Sequence, residues 1–376
     1  MKIKSKPFKV EKKTFSKTSI VLIVCVLFLA IFGAIMVYSA SSYSAQVNYG
    51  NSEYFLIKQV VGIVLGGCSL FFMAFFDYNK LEKFKWPILI VGIVLLILVF
   101  VPGIGISNYG AQRWIRLPGF TIQSSEITKF CFIIFSASYL SRAKDKVKTF
   151  KGILPILCVG GVICLLIMLE PNMSITMCVG LVMVVMLFVG GMRFKHFALL
   201  AVPAIALVFV LIIIEPYRLD RLMAFIDPWA SPKGEGYQLI QSIYALGSGG
   251  LFGVGLFNSR QKYLFLPFSE SDFIFSVIGE ELGLFGAISI LVVYLIITIC
   301  GIKVAIRAKN RFGCLLVVGI TAIIAVQTLL NVAVVTGSIP PTGLPLPFIS
   351  AGSTSLLVFM SAIGIVLNVD RQSRKM

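Results

Sequence analysis

The chain has 376 residues, of which 58% are hydrophobic and only 13% charged, against roughly 25% charged in a soluble globular protein. So much apolar surface has no place in a water-soluble domain, and it comes in blocks of about 20 residues, the length that spans ~30 Å of hydrocarbon. The formal charge of +17 does not point to nucleic acid as a partner, because the basic residues sit in short clusters between apolar blocks, as in cytoplasmic membrane loops.

The pattern predicts an all-α integral membrane protein with about ten transmembrane helices. Spans are expected near 19–40, 54–76, 86–104, 125–141, 152–169, 173–191, 196–214, 272–300, 314–336 and 350–368. A basic cytoplasmic head over 1–18 precedes one membrane domain over 19–368, and a short cytoplasmic tail covers 369–376. The first apolar block is longer than the ~7–15 residues of a signal-peptide core, so it reads as a retained anchor. The block at 272–300 exceeds one span, which suggests a tilt or an extension beyond the bilayer.

Charge sets the orientation. Lys2, Lys4, Lys6, Lys9, Lys12, Lys13 and Lys17 lie before the first span, and further clusters follow at Lys80–Lys85, Arg142–Lys151, Arg193–Lys195, Lys303–Arg311 and Arg371–Lys375. The opposite side holds only Arg113, Arg116, Arg218, Arg221, Lys233, Arg260 and Lys262. This asymmetry places both termini in the cytoplasm. It also makes the longest connection, 215–271 between spans 7 and 8, extracytoplasmic. Within that loop, Gln238–Leu246 has helical spacing but is too short to span, and Gly247–Gly255 breaks regular structure.

The eight Cys lie in or beside apolar blocks with no C-x-x-C pair, so they read as small helix packers. The single His, His196, gives no basis for a His-based metal site.

Ionisable groups at membrane depth cost at least ~2.5–3.5 kcal/mol, so each is a functional candidate. Arg113 and Trp114 are followed by Glu126 and Lys129 at i, i+3, a spacing that allows pairing on one helix face; a structural ion pair and interfacial anchors are the competing readings. Glu170-Pro-Asn-Met-Ser174 reads as a tight turn. Asp272 begins a long apolar segment near Arg260 and Lys262. It reads either as a helix N-cap or as a partly desolvated carboxylate with a raised pKa, suited to general-base work. Glu280 and Glu281 lie about two turns further on, roughly 80° and nearly opposite around the helix from Asp272, so at least one faces the interior. The Pro- and Gly-rich run Thr336–Thr354 cannot be a plain helix and should line or cap a cavity, where protein or water satisfies its backbone. All these places fall on the outward edge, where a carboxylate, cations and aromatic rings suit an anionic lipid-linked substrate.

Five segments, in order, resemble the SEDS family (shape, elongation, division and sporulation; FtsW, RodA and SpoVE). They are Gly110-Ala-x-Arg-Trp-Ile115, Gln123-x-Ser-Glu-x-x-Lys129, Gln261-Lys262, Asp272-Phe-Ile-Phe-x-x-Ile-Gly-Glu-Glu-Leu-Gly283 and Pro341-Thr-Gly-Leu-Pro-Leu-Pro-Phe-Ile-Ser350. The resemblance runs from the first span to Arg371 and is nearest the FtsW/SpoVE branch. It implies a peptidoglycan glycosyltransferase of the bacterial cell membrane that polymerises lipid II and releases undecaprenyl pyrophosphate. By the same resemblance Asp272 is the general base. Arg113, Trp114, Glu126, Lys129, Arg218, Arg221, Lys262 and Ser350 are the candidates for substrate binding. A class B penicillin-binding transpeptidase and the division or elongation machinery are the implied partners. A divalent cation, Mg or Mn, is implied as well, though the sequence shows no ligand cluster for it. Departures from the family pattern are Ser124 in place of Pro, Asn172-Met-Ser174 in place of Asp-x-Gly, and Phe268 and Glu270 where Glu and His are common. The competing functions are a lipid II flippase, a RodA-type elongation polymerase and a scaffold that docks a transpeptidase; crowding of polar groups at the outer edge favours the polymerase.

Overall fold

The computed structural model describes residues 15–108, 111–117, 120–200, 202 and 216–374. Eleven helices are used below: α1 (Lys17–Tyr49), α2 (Tyr54–Phe75), α3 (Lys85–Leu98), α4 (Ser124–Ala143), α5 (Phe150–Leu169), α6 (Met173–Val189), α7 (Pro216–Ile226), α8 (Tyr237–Gly249), α9 (Ile274–Arg307), α10 (Arg311–Val335) and α11 (Ser353–Ser373). Among the described residues, α1, α2, α5, α9, α10 and α11 are long and apolar enough to cross a membrane, while α3 and α6 are shorter apolar helices. The expected span at 196–214 lies largely outside the described residues, as does most of the basic head.

Local chemistry sets the helix ends. Ser16 Oγ accepts from Ser19 N at 2.9 Å to start α1, which closes on Gly50 at φ 70°. Asn172 and Asn310 cap α6 and α10 in the same way, accepting from the backbone N–H three residues on. Since lipid offers helices no hydrophobic reason to associate, close packing of small residues takes over. A Cβ on Gly66 of α2 would stand 2.6 Å from Met360 Sδ of α11, and one on Gly364 of α11 would meet Leu70 O at 2.4 Å. In α4, 20 residues long, nearly every side chain is buried in the bundle, including Glu126 and Lys129. Burial in the bundle is how a helix with few lipid-compatible faces carries the Glu126–Lys129 pair.

Three expectations are corrected. The chain is mostly rather than wholly helical: β1 (Gly105–Asn108), β2 (Ala111–Leu117) and β3 (Phe120–Gln123) form an antiparallel sheet, with Ile106, Trp114 and Gln123 in register. Of Arg113, Trp114, Ile115 and Arg116 in β2, only Ile115 is buried. The span placed at 86–104 is a helix only to Leu98, because the chain then turns into β1. The long block at 272–300 is two helical pieces joined at Gly283, where φ is 69° and ψ −170°. The break frees backbone groups, and the Gly-rich loop after α8 takes them up. Val254 N donates to Glu280 O at 3.0 Å, and Leu284 N donates to Gly250 O at 2.9 Å.

One end of the bundle gathers the sheet, the α5–α6 turn, the segment leading into α9 and the non-helical run between α10 and α11. That run is satisfied by protein as anticipated. The carbonyls of Pro341, Leu344, Pro345, Pro347 and Ile349 accept from Arg221, Asn331, Gln327, Tyr294 and Gln59. Gly33 lets α1 lie against it, since a Cβ there would stand 2.7 Å from Ile349 Cα.

Candidate active site

A cavity of about 1080 Å³ opens at this end. Its polar wall carries Arg113 and Trp114 of β2, Arg221 of α7, and Glu270 and Asp272 of the segment before α9; Leu165, Met168 and Leu169 of α5 and Met173 and Met177 of α6 make it apolar on another side. A polar end continuous with an apolar wall suits a molecule with a charged head and a hydrocarbon tail.

Asp272 does not cap α9. The N-cap position belongs to Phe273, which makes no side-chain capping bond. The half-buried Asp272 carboxyl faces the cavity. Burial pushes its pKa up to about 6; Arg113 and Arg221 act in the lowering direction, Glu270 and Glu126 in the raising one. Burial also raises Glu270. Three consecutive backbone carbonyls in this segment are held in place. Glu270 O accepts from Ala351 N at 2.9 Å, Ser271 O from Ser350 Oγ at 2.6 Å, and Asp272 O from Asn331 Nδ2 at 2.8 Å.

Arg113 is aimed by the α5–α6 turn. Its Nε donates to Glu170 O at 3.2 Å, and a second guanidinium nitrogen donates to Pro171 O. Glu170 itself is buried, with Oε1 accepting from Ser124 Oγ at 2.9 Å, and burial lifts its pKa to about 8. Arg221 donates to Pro341 O at 3.2 Å and lies 3.5 Å from Glu235.

The family model that covers FtsW, RodA and SpoVE, described as "Cell cycle protein", matches residues 19–375. The chain belongs to the FtsW/RodA/SpoVE family. It is 40% identical over 359 residues to a protein of Geobacter sulfurreducens (strain DL-1 / KN400) named probable peptidoglycan glycosyltransferase FtsW, covering 95% of this chain and 96% of that one. It is 39% identical to stage V sporulation protein E of Bacillus subtilis (strain 168), covering 96% of this chain and 100% of that one. Among solved structures, a chain from a study of polymerization and crosslinking by a peptidoglycan synthase complex matches with TM-score 0.78 at 26% identity, over 94% of this chain and 98% of that one. The rod shape determining protein RodA of Thermus thermophilus shares the fold, with TM-score 0.69 at 24% identity over 94% of this chain and 97% of that one. This FtsW/RodA/SpoVE-family chain is therefore a multi-pass protein of the bacterial cell membrane.

The residues expected at the site separate into groups. Asp272, Arg113, Trp114 and Arg221 share the cavity wall. Glu126 and Lys129 are fully buried and pair with each other at 2.7 Å, with Lys129 Nζ also donating to Gln327 Oε1 at 2.7 Å. Through Gln327 Nε2, which donates to Pro345 O at 2.8 Å, this pair supports the cavity wall from behind. Lys262 lies away from the cavity, 3.2 Å from Glu281 and 3.2 Å from Ser39 Oγ. Both Glu280 and Glu281 face inward, collecting the backbone N–H groups of Phe257, Ser259, Arg260 and Gln261. Ser350 serves the backbone on both sides, accepting from Leu346 N at 2.7 Å. The side chain of Arg218 lies outside the described residues. Sequence reasoning passed over Asn331 and Gln327. Their signal was there, two amides at i, i+4 in an otherwise apolar helix, where an unpaired amide is costly.

Proposed function

We propose that this chain is a peptidoglycan glycosyltransferase that polymerises lipid II on the outer face of the membrane, with Asp272 as general base. In this reading the chain has ten spans, 196–214 among them, and both termini in the cytoplasm, so the cavity faces the wall. The observation that carries the reading is a half-buried carboxyl with pKa near 6, in a cavity that also holds two guanidinium groups and an apolar flank.

Asp272 takes the proton from the 4-hydroxyl of the acceptor sugar as that oxygen bonds to C1 of the lipid-linked growing chain. The C1–O bond to the pyrophosphate breaks, and undecaprenyl pyrophosphate leaves with the electron pair. Arg113, Arg221 and Arg218 bind the pyrophosphate and offset its growing charge, as guanidinium groups do for phosphates. Trp114 gives a sugar a flat apolar face. Lys129, Glu126 and Ser350 act by holding the walls, while Lys262 ties the loop at Phe257 to Glu281 and Ser39. The divalent cation implied by resemblance finds no ligand set here: among the described residues no three carboxylate, Cys or His groups gather to hold one, and no step is placed on it. A single-pass transpeptidase of the penicillin-binding class, within the division or sporulation machinery, is the proposed partner, in line with the peptidoglycan synthase complex of the similar solved structure.

The test is purified protein with its transpeptidase and labelled lipid II, comparing wild type with Asp272→Ala. A loss of about 10²–10⁴-fold in polymerisation is expected, the range for a positioned base. Equal glycan synthesis by the variant would overturn the assignment of the base. Translocation without polymerisation by the wild type would favour a flippase.

A further inference from the structure

Because Asp272 is not tied down by helix capping, its direction depends on its backbone. The three carbonyls from Glu270 to Asp272 are held by two sources, the Ser350–Ala351 end of the Pro-rich run and Asn331 of α10. Asn331 differs from the others because it joins three elements. Its side-chain nitrogen donates to Asp272 O at 2.8 Å and to Leu344 O at 2.6 Å, so α10 ties the segment before α9 to the Pro-rich run next to Gly343. Both amide hydrogens are thereby used. The amide cannot be turned round, since its oxygen would then face two carbonyl oxygens.

The cost of this arrangement is visible. Asn331 is 1% exposed, and its Oδ1 has no hydrogen-bond partner. A buried, unpaired acceptor is destabilising, and an apolar side chain of the same size would suit the surrounding helix better. Leu329, Leu330 and Val332 are its apolar neighbours in sequence. Stability alone therefore does not account for an asparagine here.

We propose that Asn331 is the positioning residue for Asp272. It fixes the backbone from which the carboxyl reaches into the cavity, and keeps that carboxyl in register with the Thr342–Gly343 wall opposite. The inference rests on the reading of Asp272 as the base. Asn331 touches neither sugar nor pyrophosphate; it acts through the Asp272 and Leu344 carbonyls. Its removal therefore affects turnover rather than binding, because Arg113 and Arg221 are held by other groups.

The test uses the full chain with its partner transpeptidase in lipid nanodiscs, comparing wild type, Asp272→Ala and Asn331→Leu. Leucine keeps the heavy-atom count and branching, removes both donors and removes the unpaired oxygen, and it suits an apolar helix. Asn331→Leu is expected to lower kcat at least about tenfold while KM for lipid II stays within about twofold. Hydrogen exchange by mass spectrometry is expected to rise in peptides covering 268–276 and 344–351, and to stay unchanged in α5. Unchanged exchange there would overturn the clamp. Raised exchange with wild-type kcat would overturn the positioning role. An active Asp272→Ala variant would instead sink the base assignment, while the exchange arm would still report whether Asn331 holds the segment.

Discussion

Gly343 backs directly onto the carboxyl of Asp272: a Cβ on Gly343 would stand 2.7 Å from Asp272 Oδ2. The obstructed atom is the tip of a short side chain, so an added methyl turns the carboxyl aside and leaves the backbone in place. Gly343→Ala is therefore expected to lower kcat by about 10²-fold, the scale of a ~1 Å misplacement at a reacting centre. Its melting temperature should stay near that of wild type. Kinetics on labelled lipid II alongside a thermal melt in detergent checks both; a variant with full activity would show that the carboxyl has room to spare.

The carboxyl of Asp272 also sets a pH dependence. A general base works in its ionised form, and burial places this group's pKa at about 6. Polymerisation should level off above that pH and fall about tenfold per unit below it. Asp272→Asn should remove this limb along with most of the activity. A profile for wild type that is flat from pH 5 to 7 at saturating lipid II would contradict the assignment.

Glu170 makes a separate pH prediction, for stability. Its folded pKa of about 8 lies above the ordinary carboxylate value of 4.5. The folded state thus holds a proton that the unfolded chain gives up. Stability falls as pH rises from about 4.5 to about 8, and is highest on the acid side of that window. Glu170→Gln, neutral throughout, should flatten the fall; Asp272 and Glu270, also shifted upward, leave a residual slope. Melting temperatures of both proteins across pH 5 to 8 measure the difference, and parallel curves would refute it.

Much of this was legible in the sequence because lipid makes a simple demand, apolar side chains over a fixed length. The span at Tyr54–Phe75 and the non-helical run before α11 both follow from it. The sheet escaped because its strands are short, so that along the sequence the apolar block runs on past Leu98. The kink at Gly283 escaped because one glycine in a long apolar run does not show that a distant loop will pair with the broken ends. Spacing linked Glu126 to Lys129, but their third partner, Gln327, comes from another helix, and its amide in an apolar run does not say which group it meets. For the same reason Lys262, counted by sequence among the cations near Asp272, is paired with Glu281.

The buried pair is open to a double-mutant cycle. Lys129→Met leaves the Glu126 carboxylate without its ammonium and Gln327 Oε1 without its donor. Breaking a buried pair from one side costs about 3–5 kcal/mol. Glu126→Gln/Lys129→Met removes both charges and should recover a large part of that loss, because a neutral pair avoids the uncompensated charge. Denaturation in detergent of the two single variants and the double one gives the coupling. Additive losses would mean that the two groups do not stabilise each other.

Gly283 tests the joint between the two halves of α9. Its backbone lies in a region essentially reserved for glycine, at φ 69° and ψ −170°, and occupying it costs another residue on the order of 1–3 kcal/mol. There is also no room, since a Cβ would stand 2.4 Å from Gly253 N and 2.5 Å from Leu251 O. Neither is a side chain that can swing away; both belong to the loop paired with the broken helix. Gly283→Ala should therefore displace the 250–255 loop and weaken folding, in contrast to Gly343→Ala, where only a carboxyl turns. Size-exclusion profiles and melting temperatures of the two variants side by side are the measurement. Equal stability of both would mean that α9 adapts at Gly283 in a way this backbone does not allow.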